Sequence, residues 1–204
     1  MLVWYFDYLS PYSYLQFEAY PELMRDAELR PLLFAGLLKQ WGTKGPAEIE
    51  QKRLQTYRFT YWQAQQHGIT LKYPPAHPFN PVPALRLTIA LGGKYEVVKT
   101  IFEFIWKEGR SVDEEWAALC AKLNCKDADT RIQQQSVKDA LADNGKKALE
   151  RGVYGVPTMD TGKELFWGLD ATEMLLDYLA DPKMFDNAEM QRIANLPVAA
   201  ARKS

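Results

Sequence analysis

The sequence predicts an α/β chain of the form βαβ, then a large all-helical insertion, then ββα. Three observations carry the prediction. An apolar run, Leu2 to Phe6, ends in a tight turn that passes straight into a helix start at Ser10-Pro11. From Pro46 onward the pattern turns mainly helical for about a hundred residues. Strand chemistry then returns at Thr158 to Asp160 and Glu164 to Trp167, joined by Thr161-Gly162-Lys163 as a tight hairpin.

Taken in order, Leu2 to Phe6 is the first strand, Tyr12 to Asp26 an amphipathic helix, and Glu28 to Leu33 a second strand, parallel to the first because a helix crosses between them. The insertion comprises Ala47 to His67 with Gly68 at its C-terminus, Pro83 to Leu91, Tyr95 to Lys107, Val112 to Leu123, and a segment around Gln134 to Arg151. Between the first two of these helices, Tyr73 to Pro83 packs five prolines into eleven residues, too many for a helix or a central strand, so it is an ordered loop. The helix Ala171 to Ala180 closes the second half. The expected organisation is a discontinuous α/β domain, residues 1–45 and 152–182, around a helical insertion, residues 46–151. A tail, residues 183–204, has weak periodicity and is either a docked marginal helix or frayed.

Composition narrows the function classes. The 204 residues suffice for one well-buried domain with an insertion, and 47% hydrophobic with 25% charged residues is ordinary for a soluble globular protein. A formal net charge of −1, with Lys and Arg interspersed among acids, argues against a nucleic-acid partner. No apolar run is long enough to span a bilayer and the start lacks the pattern of a secretory signal, so a cytoplasmic location with no membrane partner is expected. Cys120 and Cys125 have no nearby histidine to complete a metal site; both read as small buried hydrophobes, and no metal is expected.

The chemistry concentrates at two places. In Phe6-Asp7-Tyr8-Leu9-Ser10-Pro11-Tyr12-Ser13, Ser10 fits a helix N-cap and Pro11 the first helical position, where its missing N–H costs nothing. That puts a hydroxyl and the partial positive charge of unpaired N–H groups at one point, a good seat for an anion. The second stretch is Gly152-Val153-Tyr154-Gly155-Val156-Pro157-Thr158, followed by Phe166-Trp167-Gly168-Leu169-Asp170.

Together the two stretches resemble the thioredoxin superfamily, and within it the DsbA-like branch holding 2-hydroxychromene-2-carboxylate isomerases and kappa-class glutathione transferases. The motifs are F-D-x-x-S-P-x-S-Y at one end and G-V-x-G-V-P-T with F-W-G-x-D at the other. The resemblance implies a thioredoxin-like fold with Ser10 and Ser13 at the positions of the two redox cysteines, and Val156-Pro157 as a cis-proline loop. Serine forms no disulfide and does not ionise usefully near neutral pH, so thiol exchange by the chain itself is excluded. The thiol must be brought from outside, and the resemblance implies glutathione.

On that reading Ser10 is catalytic, donating a hydrogen bond to a bound thiolate. Val156 and Pro157 would meet the cysteinyl part of the tripeptide, and Trp167, Gly168, Leu169 and Asp170 its γ-glutamyl end. Asp170 is equally a natural N-cap for the last helix, and the two roles are compatible. The basic residue that often follows this aspartate in the family is missing from Leu169-Asp170-Ala171-Thr172, so that contact would be rearranged. For a small aromatic substrate the resemblance points to Lys39, on a short helix after the second strand, and to Asn80, with Phe79, Trp41 and Tyr8 as apolar walls. His77 lies close by and has the chemistry of an acid or base, but a proline-flanked loop histidine is usually incidental, and it is left out of the catalytic set. The implied activity is glutathione-assisted isomerisation of 2-hydroxychromene-2-carboxylate by reversible thiolate addition. The alternatives are a kappa-like glutathione transferase and a non-catalytic glutathione-binding module; a homodimer is left open.

Overall fold

A computed structural model describes residues 1–200. Its centre is a four-stranded sheet of order β2-β1-β3-β4, formed by β1 (Val3–Phe6), β2 (Glu28–Pro31), β3 (Thr158–Asp160) and β4 (Leu165–Trp167). β1 runs parallel to β2 and antiparallel to β3, and β3 pairs antiparallel with β4. This is the βαβ…ββα arrangement expected, with the helical insertion between its halves.

The apolar run of β1 is explained by burial on both faces. Trp4 and Phe6 stack at 4.5 Å between ring centroids and enter a core with Phe17 and Phe102, whereas Val3 and Tyr5 enter a second core with Leu32, Leu37 and Ala148. A strand covered on both sides shows no polar alternation. Helices α1 (Pro11–Ala19) and α6 (Tyr95–Phe102) lie on the first side, and α3 (Phe34–Trp41) and α9 (Gln135–Glu150) on the second.

The expected helix over Tyr12 to Asp26 is two helices. α1 stops at Tyr20, and α2 (Pro21–Asp26) begins at a proline that has no N–H to continue the ladder and disfavours helical backbone in the residue before it. The first insertion helix is likewise divided, into a 3₁₀ turn (Pro46–Glu48) and α4 (Glu50–Gln66). α5 (Val82–Ala90) follows the proline loop. α6 continues into a wider π turn at Glu103–Lys107, which places Trp106 so that its indole N–H donates to the Tyr8 carbonyl at 2.8 Å. α7 (Trp116–Lys122) is shorter than expected, and α8 (Ala128–Gln133) lies in a stretch for which no helix was expected.

After β4 come α10 (Thr172–Ala180) and α11 (Ala188–Ala194). The tail is docked through Phe185, whose ring stacks on Tyr178 at 5.4 Å, while α11 itself buries no residue. Ala201 and Arg202, part of the expected tail, lie outside the described residues. Cys120 and Cys125 are buried among Leu87, Ala128 and Ile132, and burial raises the Cys120 thiol to about 11, as suits packing rather than reactivity. Among the described residues no helix is long and apolar enough to cross a membrane, and no three metal-ligating side chains are grouped.

Candidate active site

The turn from β1 into α1 is built by side-chain hydrogen bonds. Ser10 caps α1: its Oγ accepts from the Ser13 N–H at 3.2 Å, and Pro11 follows at the first helical position. The hydroxyl hydrogen of Ser10 stays free to donate. The Tyr12 N–H has no partner among the described residues, so an orphan donor of the helix start remains beside Ser10. Ser13 lies behind this corner, fully buried, with its Oγ unpartnered among the described residues.

Asp7 holds the corner from below. Its carboxyl accepts from the Leu9 N–H at 3.0 Å and from the Phe34 N–H at 2.9 Å, the latter being the first N–H of α3, whose own cap position, Leu33, offers no side-chain acceptor. Full burial pushes the Asp7 carboxyl up to about 7 against the downward pull of those two donors.

Opposite, the Val156–Pro157 peptide bond is cis. Among the described residues neither the N–H nor the C=O of Val156 makes a hydrogen bond, so a complete peptide edge is open. The loop is anchored by a bond from the Gly168 N–H to the Pro157 carbonyl at 2.9 Å. Gln16 ties it to the rest: its side chain accepts from the Trp4 indole at 2.6 Å and donates to Thr172 Oγ1 at 2.7 Å and to the Gly168 carbonyl at 3.3 Å.

Ser10, Tyr12, Val156, Trp167 and Phe79 all border one cavity of about 400 Å³. Leu33, Phe34, Ala35 and Leu38 supply an apolar wall from the α3 side, and Tyr57 and His77 close the far side. His77 Nε2 lies 2.9 Å from the Leu9 carbonyl and Nδ1 lies 2.7 Å from the Tyr57 hydroxyl. Burial lowers the His77 pKa, the Leu9 bond opposing it and the nearby Arg53 charge adding to it. Glu48 is the charged side chain of the lining among the described residues, and its Oε1 is occupied by the Gly45 N–H at 2.6 Å.

Several expected residues lie elsewhere. Lys39 is exposed on α3 and does not line the cavity; that face of the helix presents Ala35 and Leu38. Asn80 is exposed, and its Oδ1 accepts from the Val82 N–H at 3.1 Å, at the start of α5. Tyr8 is fully buried in the aromatic core with its hydroxyl on Thr88 at 2.6 Å, and Trp41 is exposed with its indole on the Val153 carbonyl at 3.0 Å, so neither is a cavity wall. Leu169 points into the core. Asp170 does not cap α10, whose cap position is Ala171 with no side-chain bond; the first turn is held instead by Thr172 Oγ1 donating to the Leu169 carbonyl at 2.7 Å. Asp170 is exposed, close enough to Tyr12 for its charge to add to the burial that raises that phenol.

A family model described as a DSBA-like thioredoxin domain matches residues 1–180. The chain belongs to that family. This DSBA-like thioredoxin domain is 29% identical over 187 residues to a 2-hydroxychromene-2-carboxylate isomerase of Pseudomonas putida, covering 84% of this chain and 90% of the relative. It is 24% identical over 204 residues to glutathione S-transferase kappa 2 of Caenorhabditis elegans, covering 87% and 91%. A solved 2-hydroxychromene-2-carboxylate isomerase superposes with a TM-score of 0.77 at 25% identity, covering 93% of this chain and 98% of the other. In this DSBA-like domain the residues that sequence reasoning passed over are Asp7, Gln16, Tyr57 and His77. His77 stands in plain view in the proline loop, but its partners are 20 and 68 positions away in sequence and carry no motif.

Proposed function

We propose that the protein is a glutathione-dependent isomerase that interconverts 2-hydroxychromene-2-carboxylate and trans-o-hydroxybenzylidenepyruvate. One observation carries the reading: the Ser10 hydroxyl, the free Tyr12 N–H and the open Val156 peptide edge border a single apolar cavity of the size of a small aromatic molecule. The open peptide edge suits a peptide-like ligand, and the capped helix start suits an anion. These residues fit glutathione, with Val156 and Pro157 at its cysteinyl part and Trp167, Gly168 and Asp170 near its γ-glutamyl end. Glutathione would supply a thiolate that adds to a conjugated carbon of the substrate, allowing bond rotation, and leaves again.

The chain's own residues do the rest. Ser10 donates to the sulfur while its Oγ stays anchored on the Ser13 N–H, and the helix start adds its oriented field; both favour the ionised thiol. Phe79 and the α3 wall hold the aromatic ring. For the substrate carboxylate we favour Arg53 over Lys39 and Asn80: none of the three lines the cavity, but the Arg53 charge reaches lining residues. Arg53 is half-buried on α4, its Nη1 is 3.5 Å from the carbonyl of the wall residue Ala47, and its charge bears on both Tyr57 and His77.

A second reading, a transferase conjugating neutral electrophiles, is favoured by the lining itself, where the charged side chain is the acid Glu48. Mixing the protein with the chromene and following its interconversion spectrally, with and without glutathione, tests the first reading. Glutathione-dependent turnover is expected. Turnover indifferent to glutathione, or conjugation of a halogenated aromatic without chromene turnover, contradicts it.

A further inference from the structure

We infer that Tyr57 and His77 form a proton relay on the cavity wall, serving the ring-opening step of the isomerisation proposed above, on which this inference rests. The hydrogen bonds fix the direction of travel. A carbonyl only accepts, so His77 Nε2 carries the hydrogen on the Leu9 carbonyl, and Nδ1 of the neutral ring is the acceptor facing the Tyr57 hydroxyl. The Tyr57 hydroxyl also lies 2.9 Å from the His77 carbonyl. When a proton reaches Nδ1, the new N–H donates back to Tyr57 Oη, whose own hydrogen turns to the His77 carbonyl. Both protonation states are therefore fully bonded without movement of either side chain.

The chemistry needs such a pair. 2-Hydroxychromene-2-carboxylate is a cyclic hemiketal, and opening it requires loss of the hemiketal hydroxyl proton and delivery of a proton to the departing ring oxygen. Tyr57 Oη takes the hydroxyl proton as its own passes to His77 Nδ1. The ring C–O bond breaks, its electron pair goes to the phenolic oxygen, and the ketone forms. The proton then returns from His77 through Tyr57 to the phenolate. No electrons are gained or lost overall, and closure is the reverse.

The surroundings favour a neutral resting imidazole. Arg53 on α4 bears on it with its positive charge and the phenols of Tyr57 and Tyr73 and the Trp106 ring bury it, whereas the Leu9 carbonyl, from the β1–α1 turn, pulls the other way. Because burial lowers its pKa, the ring rests neutral near pH 7, with Nδ1 as the acceptor toward Tyr57.

The test compares two substrates in the full-length protein with glutathione. One is the chromene; the other is open-chain cis-benzylidenepyruvate without the ring hydroxyl, which needs cis–trans conversion and no ring opening. Tyr57→Phe is expected to slow chromene turnover about a hundredfold, the size of a lost acid–base partner, and to leave the open-chain reaction and calorimetric glutathione binding near wild type. His77→Gln is expected to remove the acid limb of the wild-type chromene pH profile, and ¹⁵N shifts are expected to show His77 neutral with hydrogen on Nε2. Equal losses on both substrates, unchanged chromene turnover, or hydrogen on Nδ1 overturns the relay alone. A wild-type protein inactive on both substrates overturns the isomerase reading and the relay with it.

Discussion

Asp7 and Phe34 join the two halves of the site: the buried Asp7 carboxyl, three residues before Ser10, accepts the first N–H of α3 at 2.9 Å. The same carboxyl accepts from the Leu9 N–H, so the Ser10 turn and the apolar wall of the cavity share one anchor.

Asp7→Asn is expected to lose one of the two bonds, because an amide oxygen replaces only one carboxyl oxygen, at a cost of about 1–3 kcal/mol below pH 3.8. The folded-state pKa of Asp7, about 7, lies above the ordinary 3.8, so its contribution is fully present below pH 3.8 and is lost as pH rises through 7. The full span of that loss is on the order of 4 kcal/mol. Denaturant unfolding of both proteins from pH 4 to 8 is expected to show the wild-type advantage shrinking as pH rises and reversing sign by pH 8, where Asp7→Asn is the more stable. A gap independent of pH would refute the assignment.

Ser10→Ala removes the α1 cap and, on the function proposed, the donor to sulfur. A stability loss of about 1 kcal/mol is expected from the cap, with a much larger fall in glutathione-dependent turnover, tenfold or more (~1.4 kcal/mol). Ser10→Cys places a thiol at the same helix start and is expected to form a mixed disulfide with oxidised glutathione, read as a mass increase on the intact protein.

Gly155 packs against Trp167 so closely that an added Cβ would overlap the indole nitrogen, and the Trp167 ring is also held edge-on by Tyr154 at 5.1 Å. Gly155→Ala is therefore expected to displace Trp167 from the cavity rim. Calorimetry should show weaker glutathione binding, on the order of tenfold, with the fold intact by circular dichroism.

Arg53→Ala and Lys39→Ala separate two placements of the substrate carboxylate. Arg53→Ala is expected to raise KM for the chromene about tenfold or more, the worth of one charge-assisted contact. Lys39→Ala is expected to leave it within about twofold, as surface charges away from a site do. The reverse result would mean that α3 rotates toward the cavity when substrate binds.

Strand and helix starts were legible because their signals are local: β1 is an unbroken apolar run, Pro11 marks a helix start, and Thr161-Gly162-Lys163 closes the β3–β4 hairpin. The break at Tyr20-Pro21 was local too, yet the apolar period ran across it and hid it. Half of the cavity was legible for the same reason, since Ser10, Val156-Pro157 and Trp167 sit in short motifs with fixed backbone geometry. The other half was not. An aromatic residue type does not reveal its direction, so Tyr8 reads as a wall and lies in the core, while Tyr57 is one of many polar-helix residues and faces the cavity. The spacing of Arg53 and Tyr57 by four on α4, one turn apart, is the signal that would have placed both on one face.

The account turns on Ser10 and the start of α1 stabilising an ionised thiol. Ultraviolet titration of the thiolate of glutathione bound to the wild-type protein and to Ser10→Ala tests this directly. The bound thiol is expected to titrate at least about one unit below the free value of about 8.5 and to rise toward it in Ser10→Ala. Titration of bound glutathione at the free value, or with the same pKa in both proteins, would contradict the account.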